Sequence, residues 1–303
     1  MGQLEDMQAF IRIVEAGGIG PAAEQMGIAP SAISRRLALL ESRLGVTLIN
    51  RTTRTSKITE VGQTYYTRSL QVINEVTELN TITTDPDCSI HGTLRLSAPL
   101  SFGLSHLARA LDTFAKEHPE LTLDIDFSDH EIDLIEGGFD LAFRIGKLND
   151  SSLKARRISP IRFNICASPE YLKQHGTPKT PDDLKNHKLL RYALYGNNNW
   201  KLIDEKGQHH KINTTSKMIA NNGDFLNDMA IAGHGILLTP TFISWKAIAM
   251  GELTPILQNY KLEDLYAYAV YPQTHYLSQR VRLLIDFLAE RFGDNPYWDH
   301  ELN

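Results

Sequence analysis

The sequence predicts a chain of several domains: a small α-helical domain with a β wing, then a long helix, then an α/β region. Three observations lead to this prediction. Apolar residues recur at helical spacing through residues 1–60, an unbroken helical pattern follows over Glu60–Thr84, and strands alternate with helices beyond His91. A length of 303 residues allows two or three hydrophobic cores, and a hydrophobic content of 42% is typical of globular proteins.

The N-terminal domain is predicted to contain three helices. The first covers residues 4–15, and the second begins near Pro21, with Gly20 as its N-cap. The third is predicted over Pro30–Leu44 and ends at a glycine. Short β-prone pieces in residues 46–59, around the polar run RTTRTSK, predict a two-stranded wing.

Residues 19–38 join the second and third helices in the layout of a helix-turn-helix, with a break at Gly27-Ile28. In the third helix, apolar residues form one stripe while serines and arginines occupy the other faces, as expected when one side packs and the other meets a DNA major groove. The predicted DNA contacts are Ser31, Ser34 and Arg35 for base edges, and Arg36, Arg51 and Arg54 for phosphates. The simpler alternative is that Ser31 caps the helix and Arg36 pairs with Glu41.

The distribution of charge indicates a basic segment near the N-terminus of an otherwise acidic chain. The whole chain has a net charge of -5, yet residues 31–59 carry six basic side chains and one acidic side chain. Attraction to phosphates is local, because salt screens charges beyond about 8 to 10 Å. The negative total therefore does not exclude a DNA-binding domain.

The long helix over Glu60–Thr84 carries apolar residues at mixed spacing, and a single helix of this length needs a partner. It could pack on its own domain, or it could pair with a second copy as a dimer-forming coiled coil. Asp85-Pro86-Asp87 then breaks the helix and predicts a hinge.

Beyond the hinge, the alternation of strands and helices predicts parallel sheets with helical crossovers. The predicted strands are residues 93–98, 121–128, 141–145, 162–167, 236–238 and 267–271. The predicted helices are residues 104–118, 131–137, 225–233 and 278–292.

Other classes of protein lack their usual signals in this sequence. The N-terminus, MGQLEDMQAF, is acidic where a signal peptide would be basic, and only Cys88 and Cys166 are present, so a cytoplasmic location is expected. GxSxG, HExxH, P-loop and strand-linked GxGxxG motifs are absent, and we expect no catalytic residue, metal site or cofactor. His209-His210 fits a hairpin turn better than a zinc site.

Several motifs in one order resemble the LysR-type transcriptional regulators over essentially the whole chain. They are AAEQMGIAPSAISRRLALLESRLGVTLINRTTR, TEVG, GTLRLSAPLSFG, DLIEGGFDLAFRIG and AIAGHGILLTP. The resemblance implies a winged helix-turn-helix, a dimerising linker helix and a two-lobed effector-binding domain similar to type 2 periplasmic binding proteins. One departure is Ala29, where family members often carry Ser or Thr as the N-cap of the recognition helix.

Topology and resemblance together predict an effector site beyond the carboxyl ends of the strands. The candidate residues are Ser101, Phe102, Asp129, Arg144, Gly146, Asn222, Asp224 and Pro240. Alternatives remain open: Arg144 could form an ion pair with Asp140 or Asp129, and Asn222 could be a simple helix cap. Asp129 leaves the charge of the effector undecided. The run of residues 192–200, which includes Tyr192, could form a cleft wall or a surface loop.

These expectations combine into a DNA-binding transcription regulator of LysR type, working as a dimer or tetramer under the control of a small-molecule effector. The expected boundaries are 1–60 for the DNA-binding domain, 61–88 for linker and hinge, and 89–303 for the effector domain. Its lobe I is expected over about 91–163 and 267–303, and its lobe II over about 164–266. The partners expected are double-stranded operator or promoter DNA, the effector and a second copy, with no membrane. A solute-binding protein without a DNA role is the alternative.

Overall fold

The computed structural model describes residues 2–51, 56–84, 90–130, 132–147, 153–194, 199–213, 216–263, 265–273 and 277–302. Its N-terminal part contains α1 (Gln3–Glu15), α2 (Ile19–Met26), α3 (Pro30–Leu44), β1 (Ile49–Arg51), β2 (Ser56–Ile58) and α4 (Glu60–Thr84). The antiparallel pair β1–β2 is the predicted wing. The predicted hinge at Asp85-Pro86-Asp87 lies outside the described residues, as does Cys88.

The three short helices pack around one apolar core. Phe10 of α1 and Ile33 and Leu37 of α3 are completely buried in it. The linker helix α4 joins this core, because the Tyr65 ring lies 5.7 Å from the Phe10 ring. Helix α2 begins at Ile19, two residues before the predicted start, since the amide of Ala22 already bonds to the carbonyl of Gly18.

Lobe I is built on a five-stranded sheet in the order β4-β3-β5-β14-β6. Its strands are β3 (Gly92–Ala98), β4 (Leu121–Phe127), β5 (Leu141–Gly146), β6 (Leu153–Ile161) and β14 (Leu265–Pro272). Its helical parts are α5 (Leu100–Phe102), a π-helical turn (Gly103–Leu107), α6 (Ala108–Glu117), α10 (Gln279–Phe292) and a 3-10 turn (Tyr297–Leu302).

Lobe II is built on a second five-stranded sheet in the order β11-β8-β12-β7-β13. Its strands are β7 (Phe163–Ala167), β8 (Leu189–Tyr192), β11 (Ser216–Ala220), β12 (Ile236–Pro240) and β13 (Thr254–Ile256), beside the hairpin β9 (Asn199–Ile203) and β10 (His209–Asn213). Its helices are α7 (Pro169–His175), α8 (Gly223–Ile231) and α9 (Thr241–Ala249), with a 3-10 turn (Pro181–Asn186). His209-His210 lies in the hairpin, where the ring of His210 pairs with Asp204 at 3.0 Å.

The expectation of parallel sheets is correct for only part of each lobe. Strand β3 runs parallel to β4 and β5, and β8 runs parallel to β11 and β12. The strands β14, β7 and β13, however, pair antiparallel with their neighbours. The chain passes between lobes directly from β6 to β7 and returns from β13 to β14, without the helical crossover that joins two parallel strands.

The predicted short helix over residues 131–137 is wrong: its described part is a turn. The Asp133 carboxylate accepts hydrogen bonds from the amides of Ile135 and Glu136 at 2.8 and 2.9 Å, and the Gly137 amide bonds to the Asp133 carbonyl. Gly138 follows with φ +67, a left-handed conformation that a helix does not allow. The paired glycines therefore end this segment as a single turn, and no helix forms in its described part.

The same turn brings lobe I against the linker helix. A Cβ atom added to Gly138 would lie 2.0 Å from Cγ2 of Thr67, so only glycine fits beside α4. Arg95 of β3 supports the turn by donating from Nη1 to the Gly137 carbonyl at 3.0 Å and from Nε to Asp124 at 2.8 Å. Lobe I and the linker helix are thus in direct contact. Within the described residues, no helix combines the length and apolarity needed to cross a membrane.

Candidate DNA interface and ligand cavity

The recognition helix α3 begins without a side-chain cap. Ala29 takes an extended conformation, Pro30 occupies the first turn, and the amides of Ala32 and Ile33 bond to the Ala29 carbonyl at 2.9 and 3.3 Å. Proline compensates in part for the missing cap because its φ is already helical and it has no amide to satisfy.

The exposed face of α3 carries the predicted DNA contacts. Ser31 and Arg35 are exposed and Ser34 and Arg36 are half-buried, while the apolar stripe on the opposite face is completely buried. Arg51 ends strand β1, and Arg54 lies outside the described residues. The helix therefore presents polar, basic side chains on a face that its own core does not use.

Glu41 and Arg43 have structural partners. The Glu41 carboxylate accepts hydrogen bonds from the amides of Leu48 and Ile49 at 2.8 and 3.2 Å, which fixes the start of the wing against α3. Arg43 pairs at 3.0 Å with Asp6, whose side chain is 1% exposed. Part of the positive charge that marks this segment in the sequence thus stabilises the domain.

A cavity of about 870 Å³ lies between the two lobes. Six of the eight predicted effector residues line it: Ser101, Phe102, Asp129, Arg144, Gly146 and Pro240. The lobe I wall includes Asp129, His130, Ile132 and Leu134, and the lobe II wall includes Tyr192, Leu194 and Thr239. Tyr192 therefore belongs to a cleft wall, while residues 195–198 of the predicted run lie outside the described residues.

Three of the eight predicted residues make their main contacts with the protein itself. Asn222 caps helix α8, where its Oδ1 accepts a hydrogen bond from the Phe225 amide at 2.8 Å, and neither it nor Asp224 is among the lining residues described. The ring of Phe102 is completely buried and stacks on Phe143 at 4.6 Å. It belongs to the aromatic core behind the cavity.

Arg144 holds together the ends of two neighbouring strands. Its guanidinium donates to the carbonyl of Ser128 and to the hydroxyl of Ser97, both at 3.2 Å. Asp140, one of the partners considered for it, accepts a hydrogen bond from the Arg95 amide and lies 3.9 Å from the guanidinium of Arg280.

Among the described residues, two carboxylates at the cavity are bonded to hydroxyls of the opposite lobe. The hydroxyl of Ser101 in lobe I donates to the Asp224 carboxylate in lobe II at 2.6 Å. In the opposite sense, Tyr192 of lobe II bonds through its hydroxyl to Asp129 of lobe I, whose Oδ1 also accepts the Leu100 amide at 3.1 Å. Burial raises the pKa of Tyr192, and the nearby charge of Asp129 raises it further.

A buried histidine that sequence reasoning missed lies behind this site. His106, in the π-helical turn, makes hydrogen bonds through Nε2 with the Phe242 carbonyl of α9 at 2.9 Å and through Nδ1 with the Tyr297 hydroxyl at 2.5 Å. Burial lowers its pKa to about 4. The neutral ring thus joins lobe I, lobe II and the C-terminal turn.

Lys147 and Lys201 of the cavity lining were also not predicted from the sequence, since surface lysines carry no motif.

A winged helix-turn-helix head, a linker helix and a two-lobed domain with a cavity between the lobes define a DNA-binding regulator that responds to a small molecule. Residues 4–63 match the bacterial regulatory helix-turn-helix proteins of the lysR family, and residues 89–293 match the LysR substrate binding domain. The chain belongs to the LysR family of transcription regulators. The matched DNA-binding family leaves a solute-binding protein without a DNA role unsupported.

Known proteins resemble the chain over nearly its full length. An uncharacterised helix-turn-helix transcriptional regulator of Haemophilus influenzae is 37% identical over 93% of this chain and 98% of its own. The transcriptional regulator CrgA of Neisseria meningitidis is 35% identical over 96% of this chain and 97% of its own. The solved structure of CrgA has a TM-score of 0.62 with 33% identity and covers 97% of this chain and all of its own. Full-length AphB of Vibrio cholerae has a TM-score of 0.60 with 26% identity, covering 95% and 99% of the two chains.

Proposed function

We propose that the chain binds operator or promoter DNA as an oligomer in the cytoplasm and has no enzymatic activity of its own. The proposed base contacts are Ser31, Ser34 and Arg35, and the proposed phosphate contacts are Arg36, Arg51 and Arg54. The observation that carries the proposal is the division of α3 into a buried apolar stripe and a polar, basic face. A helix of this kind fits the major groove with its N-terminal residues against base edges.

Gel-shift titrations of the full chain on its own promoter region, over a series of salt concentrations, test this proposal. We expect Arg35→Ala to weaken discrimination between the promoter and unrelated DNA, because arginine reads guanine through two hydrogen bonds, worth about 1–3 kcal/mol. Arg36→Ala should weaken binding to both DNAs and reduce the salt dependence. Lys173→Ala, which removes an exposed charge from lobe II, is the matched control. Equal binding by all three variants and the wild type would refute the assignment.

We also propose that α4 pairs two subunits. Val61, Val72 and Leu79 are 53%, 39% and 65% exposed, and their spacing along the helix brings them to one face. An exposed apolar stripe of this kind suits a coiled-coil partner. Light scattering should show that Leu79→Glu lowers the oligomeric state, whereas Gln63→Glu, which adds the same charge at an exposed position on the opposite face of the helix, leaves it unchanged. An oligomer that survives Leu79→Glu at low concentration would contradict this role.

The cavity between the lobes is the proposed effector site, with Ser101, Asp129, Arg144, Gly146 and Pro240 in its wall. Its size supports the proposal, because pockets for small molecules occupy about 300–1,000 Å³. Thermal-shift screening of a metabolite panel tests it. A ligand at 100 times its dissociation constant adds about 2.7 kcal/mol to the free energy of unfolding. A panel that leaves the melting temperature unchanged would count against the site.

A further inference from the structure

The start of the wing is held from two sides by side chains of the helices that flank it. On one side, Oε1 of Glu41, in the last turn of α3, accepts the amides of Leu48 and Ile49 at 2.8 and 3.2 Å. On the other side, the Thr59 hydroxyl donates to the carbonyls of Thr47 and Leu48 at 2.9 and 3.2 Å, directly before α4. Leu48 is therefore bound at its amide by the recognition helix and at its carbonyl by the residue that precedes the linker helix.

The linker helix adds to this restraint. The Thr59 hydroxyl also accepts the Gly62 amide of α4 at 2.9 Å, and the Thr59 amide bonds to the Leu48 carbonyl at 2.9 Å. A Cβ atom added to Gly62 would lie 2.1 Å from the Leu48 carbonyl oxygen, so α4 lies directly against this backbone. The side chain of Leu48 is completely buried in the head. The base of the wing thus has a fixed place between α3 and α4.

The wing depends on this anchorage because it is small. Strands β1 and β2 pair over three residues each, and an isolated two-stranded hairpin is marginally stable at best. Arg51, a proposed phosphate contact, ends β1 two residues after the second amide that Glu41 binds. By charge alone, a carboxylate on the recognition helix opposes DNA binding. Its hydrogen bonds to the wing act in the opposite direction.

We propose that Glu41 and Thr59 are positioning residues for DNA binding, which hold β1 where Arg51 reaches a phosphate while α3 reads the bases. This inference rests on the proposed phosphate contact of Arg51. Base reading by α3 does not depend on either positioning residue, because its apolar stripe is completely buried in the core of the head.

Gel-shift titrations of the full chain, on its promoter region and on unrelated DNA over a salt series, test the role of Glu41. Glu41→Ala should weaken binding to both DNAs by about tenfold near 0.1 M salt, and the slope of log affinity against log salt should fall by about one, as for a lost phosphate contact. The ratio of the two affinities should stay unchanged. Glu41→Gln keeps an acceptor at Oε1 and should bind at least as tightly as the wild type.

Glu24→Ala is the matched control for charge, because it removes a carboxylate from an exposed position of α2. It should bind at least as tightly as the wild type. Thr59→Val should reproduce the effect of Glu41→Ala, whereas Thr59→Ser, which keeps the hydroxyl, should restore binding. Each titration is corrected for the fraction of folded, active protein, so that a loss of stability alone leaves the measured affinity and salt slope unchanged.

Two further measurements link the effect to the wing. Hydrogen exchange of the free protein should be faster at the amides of Leu48 and Ile49 in Glu41→Ala and unchanged in Glu41→Gln. In a double-mutant cycle, Glu41→Ala should cost little further affinity once Arg51→Ala has removed the contact that it positions.

Four outcomes would overturn the inference: equal weakening by Glu41→Ala and Glu41→Gln, a changed affinity ratio with an unchanged salt slope, additive losses in the cycle with Arg51→Ala, or unaltered DNA binding by Glu41→Ala. In each of them the wild type still binds its promoter. A wild-type chain that binds no DNA would instead refute the proposed function.

Discussion

Acidification should destabilise the protein through His106. The folded state lowers the pKa of this ring to about 4, mainly by burial, whereas an unperturbed histidine has a pKa near 6.5. Lys246 and Arg109 oppose its protonation and Asp224 favours it, while Tyr297 bonds to Nδ1. A proton would also remove the acceptor nitrogen that the neutral ring offers within this pair of hydrogen bonds.

The size and sign of the effect follow from the two pKa values. Because the pKa is lower in the folded state, the unfolded chain binds the proton first as pH falls. The contribution of His106 to the free energy of unfolding is complete above about pH 6.5 and is lost progressively down to about pH 4. The loss amounts to about 2 kcal/mol at pH 5 and about 3 kcal/mol at pH 4.

Urea denaturation at a series of pH values between neutrality and pH 5 measures this loss. Tryptophan fluorescence is a suitable signal, because the ring of Trp298 lies 4.5 Å from that of His106. His106→Gln removes the titrating group, so its free energy of unfolding should fall by about 2 kcal/mol less than that of the wild type between neutrality and pH 5. His209→Gln, at an exposed position of the hairpin, should follow the wild type. Parallel pH profiles for wild type and His106→Gln would refute the reasoning.

Three further predictions concern packing and burial. Gly138→Ala should lower the free energy of unfolding by about 2 kcal/mol, because alanine is strained at φ +67 and its Cβ would meet Cγ2 of Thr67. In a double variant, Thr67→Ser removes that Cγ2 atom and should restore part of the loss. Additive effects of the two substitutions would contradict a direct contact. Arg43→Ala should lower the free energy of unfolding by about 2 kcal/mol, because it leaves the buried Asp6 carboxylate without its cation. The loss is smaller than for a fully buried pair, since Arg43 is partly exposed. An unchanged urea midpoint would contradict this prediction. Burial raises the pKa of the Cys166 thiol to about 12, so a thiol reagent at neutral pH should label this cysteine only after unfolding, as peptide mass spectrometry can check. Rapid labelling of Cys166 in the native state would contradict its burial.

The elements that sequence predicts well are those whose signals are local. Pro30 and the apolar stripe of α3 define the recognition helix within two turns of chain, and its observed bounds, Pro30–Leu44, agree with the prediction. The wing is similarly indicated by β-prone residues on either side of a polar run, and the observed strands β1 and β2 agree with it. The prediction is wrong at Gly137, where the sequence indicates the end of a short helix. The segment is a turn, in which Gly138 has a left-handed φ and packs closely against α4.

The candidate site was predictable only as a set of strand ends. The rule that ligands bind beyond the carboxyl ends of strands places Ser101, Asp129 and Arg144 at one cavity, and all three line it. The rule does not say what each side chain bonds to. Asn222 satisfies it equally well and is a helix cap, because its Oδ1 meets the Phe225 amide three residues ahead.

The chemistry of the cavity depends on pairs that are far apart in sequence and belong to opposite lobes. Considered one by one, Ser101 and Tyr192 would each be taken as a hydrogen-bond donor to a ligand, and Asp224 and Asp129 each as an acceptor. Because each hydroxyl is bonded to a carboxylate of the opposite lobe, both pairs hold the lobes in the observed arrangement. A ligand that binds only when the lobes are in this arrangement stabilises it relative to others, as control of DNA binding requires. The same hydrogen bonds therefore belong to the arrangement of the lobes that an effector would have to favour.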